Sequence, residues 1–300
     1  MRDGARVLEP TPTAILFPGQ GSQTPGMREQ VAAVRPDLVA GVTRLVGDDP
    51  FARIDESTRF AQPAILCASL AGWERVRDHV DPVAFAGHSL GELTALVAAG
   101  SLDELDALRL VVLRGLLMSI SGEDAGGGTM LALLGATPAQ ASAIAARNGV
   151  SLANDNAPGQ VVLSGAPAAL ACAGEDAGSE GLRTIALDVS GAFHSPQMQD
   201  AVIPFHEALA ETEFREPSVP VVSCATALPF VDPREELAAA LVRPVRWRET
   251  MAALAADGVQ NFVDAGPGRV LAKLAPRCVP GAGAASLQML LGDLEESRAA

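Results

Sequence analysis

The apolar run Val83-Ala-Phe-Ala86 passes directly into Gly87-His-Ser-Leu-Gly91, and a helical pattern starts at Gly91. So abrupt a strand-to-helix turn needs glycines, because side chains on it would collide with the flanking backbone. It projects the Ser89 hydroxyl outward and leaves the N–H of Leu90 free, the setting in which G-x-S-x-G carries a nucleophilic serine in α/β sheets. In a chain with 29 glycines the bare pattern recurs by chance, so the strand–turn–helix setting carries the reading. The same alternation recurs elsewhere. Thr13–Phe17 reads as the first strand, a helical stretch containing Ile65, Leu66, Leu70 and Trp73 closes at Asp81-Pro82, and a further helix runs from Leu102 to about Ile120. Such alternation indicates a parallel sheet flanked by helices.

The rhythm changes between Gly126-Gly-Gly128 and Gly191. Strands at Thr129–Leu134, Val150–Ala153, Gln160–Ser164 and Arg183–Val189 are interleaved with helices at Pro138–Arg147 and Ala166–Gly181, the β-α-β-β-α-β order of a ferredoxin-like unit. The expected organisation is therefore a loose N-terminus over 1–12, a large α/β domain over 13–127 and 191–300, and a ferredoxin-like domain inserted at 128–190. The large domain resumes with a helix near Gln197–Ala210, a strand Val219–Cys224, a helix near Trp247–Asp257, a strand Asn261–Asp264 and a helix from about Arg269.

With a net charge of −14 and a pI near 4.7, the chain lacks the basic face that a nucleic-acid backbone demands. The longest apolar stretch, roughly Leu105 to Ile120, is interrupted by Arg109 and Arg114, and no charged-then-apolar leader opens the sequence. A soluble cytoplasmic protein, without a membrane span, is expected. The four cysteines, Cys67, Cys172, Cys224 and Cys278, lie far apart, which argues against a zinc site or a disulfide framework and for buried thiols.

A serine hydroxyl needs a base, and there are four histidines. His79 precedes a turn, His206 falls in an amphipathic helical pattern, and His88 adjoins the serine in the turn itself. His194 sits in Gly191-Ala-Phe-His-Ser-Pro196, a loop leaving the last strand of the insert where a cleft can form, and is the candidate base. Asp188 and Asp264 are not clearly placed to orient it; a backbone carbonyl can do so instead. The loop Phe17-Pro-Gly-Gln-Gly-Ser-Gln23 lacks the Lys-Ser/Thr ending of a P-loop but follows the first strand, where the N–H of Gln20 can serve as a second oxyanion donor. Arg114 lies in the apolar stretch Leu108–Met118, where a guanidinium needs a carboxylate from either the protein or a ligand. Arg109, five residues earlier, falls on another face and is the solvated one of the two.

Several further motifs occur in order: Gln62-Pro63, Gly87-His-Ser-Leu-Gly-Glu92, Arg114-Gly115, Asn156-Ala-Pro-Gly-Gln160, Gly191-Ala-Phe-His-Ser195, Pro244-Val-Arg-Trp247 and Gly266-Pro-Gly268. With Phe17–Gln23 they resemble the malonyl-CoA:acyl carrier protein transacylases of fatty acid synthesis and the related polyketide acyltransferases, over residues 13 to about 278. The resemblance implies an α/β hydrolase-like large domain with a ferredoxin-like insert. It implies Ser89 as the acylated nucleophile, His194 as base, and the N–H groups of Gln20 and Leu90 as oxyanion hole. Arg114 matches the arginine that pairs with the malonyl carboxylate, Phe193 the malonyl-selecting form of its position, and His88 and Asn156 fall among the substrate-binding residues. The chain departs from the pattern before Trp247, where Arg243 replaces an asparagine and the segment is shortened; the carbonyl that orients the histidine maps to Arg246.

No metal or cofactor beyond the CoA thioester is implied, and a monomer is expected. The implied partner, an acyl carrier protein, is acidic, so docking on a −14 enzyme needs a local basic patch. Arg269, Lys273 and Arg277 recur every four residues on one helical face; Arg243, Arg246 and Arg248 form a second cluster. Three readings compete with malonyl transfer: an esterase or editing thioesterase, a trans-acting polyketide acyltransferase with another acyl unit, and a non-catalytic carrier-binding subunit.

Overall fold

Ala14, Ile15, Leu16 and Phe17 are all fully buried, as an uninterrupted apolar strand must be when both faces of its sheet are covered. In the computed structural model, which describes residues 11–124 and 126–292, this strand is the middle of a five-stranded parallel sheet. The chain runs β1 (Thr13–Phe17), α1 (Met27–Val34), α2 (Pro36–Val46), α3 (Thr58–Val76), β2 (Pro82–Gly87), α4 (Gly91–Ala98) and α5 (Glu104–Asp124). It continues through β3 (Thr129–Leu134), α6 (Pro138–Asn148), β4 (Ser151–Ala157), β5 (Gln160–Gly165), α7 (Pro167–Ser179) and β6 (Arg183–Leu187). It closes with α8 (Gln199–Ala210), β7 (Val221–Val222), α9 (Pro233–Ala239), α10 (Trp247–Ala256), β8 (Asn261–Asp264), α11 (Val270–Cys278) and β9 (Gly283–Ser286).

The parallel sheet has the order β7-β2-β1-β8-β9. Alternate side chains of β1 serve its two faces. Ile15 and Phe17 join the larger core with α3 and α5, while Ala14 and Leu16 join a second core with Trp247, Met251 and Leu271. Trp73 stands edge-on to both Phe17 and Phe85, locking α3 onto the two strands whose ends carry the site.

The second sheet is antiparallel, ordered β4-β5-β3-β6, so the β-α-β-β-α-β reading of this segment is the observed element order. Thr137 and Gln140 form a capping box at the start of α6, with Pro138 in its first turn and Gly149 in a left-handed cap at its end. Leu131, Leu133, Val161 and Leu163 face α6 and α7, whereas Met130, Ala132 and Val162 face the large core. One face of the small sheet thus closes the roof of the site.

Several bounds differ from the sequence reading, among them β6, which ends at Leu187. β4 runs on through Asn154-Asp-Asn156 to Ala157, because it pairs with β5 on one side and, through Asp155 N–H to Val245 O (2.8 Å) and Val245 N–H to Ala153 O (2.8 Å), with a later segment on the other. β7 shrinks to Val221–Val222, since Pro220 offers no N–H and the chain folds back where Ser223 N–H bonds Leu228 O. β9 was not anticipated. Of the segment read as a loose N-terminus, residues 1–10 lie outside the described residues, while the Pro12 carbonyl accepts N–H groups from Gln260 and Asn261. Among the cysteines, Cys67 and Cys224 are buried but Cys172 is exposed on α7, correcting the uniform burial expected. No helix among the described residues is long and apolar enough to cross a membrane.

Candidate active site

The turn after β2 is as tight as its glycines suggest. A Cβ on Gly91 would lie 2.0 Å from the Phe17 carbonyl oxygen and one on Gly87 2.0 Å from Gly91 C. Between them Ser89 adopts φ 52°, a left-handed conformation that costs a non-glycine residue roughly 1–3 kcal/mol. Its N–H lies 3.3 Å from Cys224 Sγ and its carbonyl accepts the Glu92 N–H, so the strained turn is held from both sides. Leu90 stands at the N-terminus of α4, where its N–H has no acceptor among the described residues.

Ser89 Oγ is 2.8 Å from His194 Nε2. His194 likewise has a positive φ, 57°, and is buried. Its Nδ1 faces two carbonyls, Ala240 O at 2.9 Å and Arg243 O at 3.1 Å, so the proton resides on Nδ1 and the Nε2 lone pair faces the serine. Burial, and then the Arg114 charge, push the His194 pKa down to about 3, which keeps the imidazole neutral and able to take a proton. Arg246 does not orient the histidine: its carbonyl accepts Thr250 N–H and Oγ–H at the start of α10, and its guanidinium pairs with Glu249. The 3₁₀ turn Ala240–Val242 and the Arg243 that follows it aim carbonyls at His194 instead. Asp264 accepts N–H groups of Leu271 and Ala272 and takes no part.

Arg114, on α5, is 5% exposed. Nη1 donates to Gln62 Oε1 (2.7 Å) and Nη2 to Ser89 Oγ (3.0 Å), and among the described residues no carboxylate lies within ion-pairing distance. Desolvation lowers its pKa to about 10, partly offset by attraction to buried Glu92. Of the two partners left open by the sequence, an internal salt bridge is absent among the described residues, and the guanidinium retains N–H donors for a ligand. Arg109 is exposed and pairs with Asp106.

These groups share a cavity of about 90 Å³. Ser89, Leu90 and His88 come from the turn, Gln20 from the loop after β1, Gln62 from α3, and Phe193 and His194 from the loop after β6. Met118, Met130, Leu187 and Val189 supply an apolar wall that sequence reasoning missed, because α5 and the small sheet meet only in three dimensions. His88 lines the cavity while its Nε2 bonds Asn156 Oδ1 (2.8 Å) and its ring packs 5.4 Å from Trp247. Asn156 is therefore behind His88 rather than in the cavity; Asn154, two residues earlier on the same face of β4, lines it.

The proposed basic patches fare differently. Arg269, Lys273 and Arg277 are exposed on or beside α11, and Arg277 is tied to Gln160 and to Pro158 O across the β4–β5 turn. In the other cluster Arg248 grips Asp155 and Arg246 is paired with Glu249, which neutralises both. Among the described residues no three His, Cys, Asp or Glu side chains gather as a metal site would require.

A neutral histidine on a strained serine, a free N–H at Leu90 and a buried guanidinium are the groups that a serine acyl-transfer site with a place for an anionic acyl end requires. The chain belongs to the acyl transferase domain family, whose model matches residues 15–297. It is 38% identical over 282 residues to the malonyl CoA-acyl carrier protein transacylase of Bacillus subtilis, covering 87% of this chain and 88% of that protein. Among solved structures it resembles a malonyl-CoA:acyl carrier protein transacylase from Xanthomonas oryzae pv. oryzae (TM-score 0.88, 35% identity, 96% of this chain and 99% of that one). It also resembles a malonyl-transacylase solved in complex with its type II polyketide synthase acyl-carrier protein (TM-score 0.87, 34% identity, 95% of this chain and 100% of that one).

Proposed function

We propose that the chain moves a malonyl group from malonyl-CoA, through an ester on Ser89, to the phosphopantetheine thiol of an acyl carrier protein. The observation that carries this is Arg114: a buried guanidinium with no carboxylate in ion-pairing distance among the described residues, 3.0 Å from the nucleophile, in the cavity that the acyl group must enter. His194 Nε2 takes the Ser89 proton as Oγ attacks the thioester carbonyl. The N–H groups of Gln20 and Leu90 hold the tetrahedral oxyanion. Collapse breaks the C–S bond, the CoA sulfur leaves with the proton from His194, and malonyl-Ser89 remains. The carrier thiol then attacks the ester, giving its proton to His194, which returns one to Ser89 Oγ as the second tetrahedral intermediate collapses. Arg114 pairs with the distal carboxylate throughout, and Phe193 limits branching at the acyl carbon.

The chemistry requires no metal or redox cofactor, and the cytoplasm, where CoA thioesters and carrier proteins occur, suits a monomeric enzyme of this kind. The same reading divides the chain into 13–127 with 191–300 and an insert at 128–190; a cavity lined both by Ser89 and Arg114 and by Met130, Asn154 and Leu187 supports it. The exposed cations Arg269, Lys273 and Arg277 are proposed to receive the acidic carrier, with Arg277 held by the insert. Charge reversal at Lys273 and Arg277 should raise the KM for the carrier while leaving Ser89 acylation unchanged; an unchanged KM removes this docking face.

The test is intact-protein mass spectrometry after brief incubation with malonyl-CoA or acetyl-CoA. A malonyl adduct that requires Ser89 and transfers to carrier supports the proposal. Rapid release of free malonate in the presence of carrier makes the protein a hydrolase instead.

A further inference from the structure

One chain of hydrogen bonds links the arginine to the loop after β1, and its direction is forced. Arg114 has only donors, so Gln62 turns Oε1 to it (2.7 Å). The other end of that amide, Nε2, therefore donates, to Thr58 Oγ1 at 2.8 Å and to Met118 Sδ at 3.2 Å. Thr58 and Gln62 are four residues apart, on one face of α3, which is what lets the two side chains meet. With its oxygen already accepting, the Thr58 hydroxyl spends its hydrogen on Gln20 Oε1, at 2.9 Å. Thr58 and Gln62 are buried, so the reverse orientation of the Gln20 amide would strand a hydroxyl hydrogen without an acceptor.

We infer that Thr58 and Gln62 are positioning residues: they carry the donor polarity of Arg114 to Gln20 and so present the Gln20 side-chain Nε2–H to the acyl carbonyl beside Ser89, as a donor additional to the backbone N–H. Gln20 lines the same cavity as Ser89, His194 and Arg114, and its Nε2 has no acceptor among the described residues. A donor is what an oxygen gaining negative charge in the transition state requires. The inference rests on the acyl-transfer reading and assigns the oxyanion a third donor.

Three variants test it, with Ser89 acylation followed by rapid-quench mass spectrometry using malonyl-CoA and acetyl-CoA. Thr58→Val removes the hydroxyl at equal volume, Thr58→Ser restores it, and Gln20→Met removes the side-chain amide while leaving the backbone N–H. Thr58→Val should slow the acylation step roughly fivefold, as loss of one neutral hydrogen bond implies. The slowing should be the same for both donors, with half-saturation unchanged. Thr58→Ser should recover most of the rate. Gln20→Met should match Thr58→Val, and the double variant should be no slower than either, because both cut one chain. Additive losses, a change in the malonyl-to-acetyl ratio, or an unaltered Gln20→Met rate would overturn the inference; if Thr58→Val does not fold, Gln20→Met alone decides it. Failure of the wild type to form an adduct refutes the acyl-transfer reading itself.

Discussion

Replacing Arg114 by alanine tests the electrostatic logic of the cavity most directly. In the free protein the guanidinium donates two hydrogen bonds to neutral acceptors, Gln62 and Ser89, and is buried with no carboxylate within ion-pairing distance among the described residues; desolvation lowers its pKa to about 10. A malonyl carboxylate supplies the missing charge and accepts N–H groups left over in a water-poor site. Removing one partner of such a buried pair costs about 3–5 kcal/mol, because the other charge is left desolvated. At 1.36 kcal/mol per factor of ten, kcat/KM for malonyl-CoA should fall roughly 10²- to 10⁴-fold. Acetyl-CoA has no carboxylate, so it loses only what the charge-assisted Ser89 contact contributes, about 1.5 kcal/mol, or about tenfold. Stopped incubations with each donor, scored by the mass of the intact protein, give both rates in one series. Equal losses for the two donors, or a malonyl loss below about tenfold, would refute the argument.

The folded His194 pKa, pushed down to about 3 by burial and the Arg114 charge, means that the imidazole is neutral from pH 5 to 8; ring-nitrogen NMR should show no titration of His194 there, and an ordinary titration near 6.5 contradicts it. The sign for stability follows: between about 3 and 6.5 the unfolded chain binds a proton that the folded one does not, so His194 makes the protein lose stability as pH falls through that window, as urea midpoints of wild type against His194→Ala will show. Ser89→Gly should abolish adduct formation yet raise unfolding free energy by about 1 kcal/mol, since glycine adopts φ 52° without penalty; a lower urea midpoint counts against strain at the turn. Gly91→Ala should destabilise by about 3 kcal/mol or prevent folding, because its Cβ would meet the Phe17 carbonyl at 2.0 Å, whereas Gly178→Ala in α7, with open space, should be neutral or stabilising by up to about 1 kcal/mol; equal thermal shifts for the two would remove the close-approach argument.

Much of the architecture was legible because each long element writes its own periodicity. β1, β8 and α10 began where their apolar runs began, and the β-α-β-β-α-β order followed from short runs separated by Gly and Pro. The exceptions have local reasons. Asn154-Asp-Asn156 is too polar to read as a strand, and β9, Gly-Ala-Ala-Ser, has little intrinsic strand preference; backbone pairing to partners distant in sequence makes both. Cys172 followed the exposed side of its helix, which cysteine spacing does not reveal.

Residue type and local setting marked Ser89 and His194 as the candidates for chemistry: a serine between turn glycines, and a histidine in the loop that leaves β6. They also marked Arg114, since a guanidinium in an apolar helix must find a partner. Which groups meet those three follows from packing between segments far apart in the chain. The carbonyls that hold His194 belong to Ala240 and Arg243 rather than Arg246, and a carbonyl has no side-chain signature by which a sequence could distinguish them. Asn154 rather than Asn156 reaches the cavity because the path of β4 aims one and withdraws the other behind His88. That no carboxylate among the described residues ion-pairs with Arg114 could be read only once the helices were packed, because whether a buried charge is paired depends on distances between segments and not on which residues a chain contains.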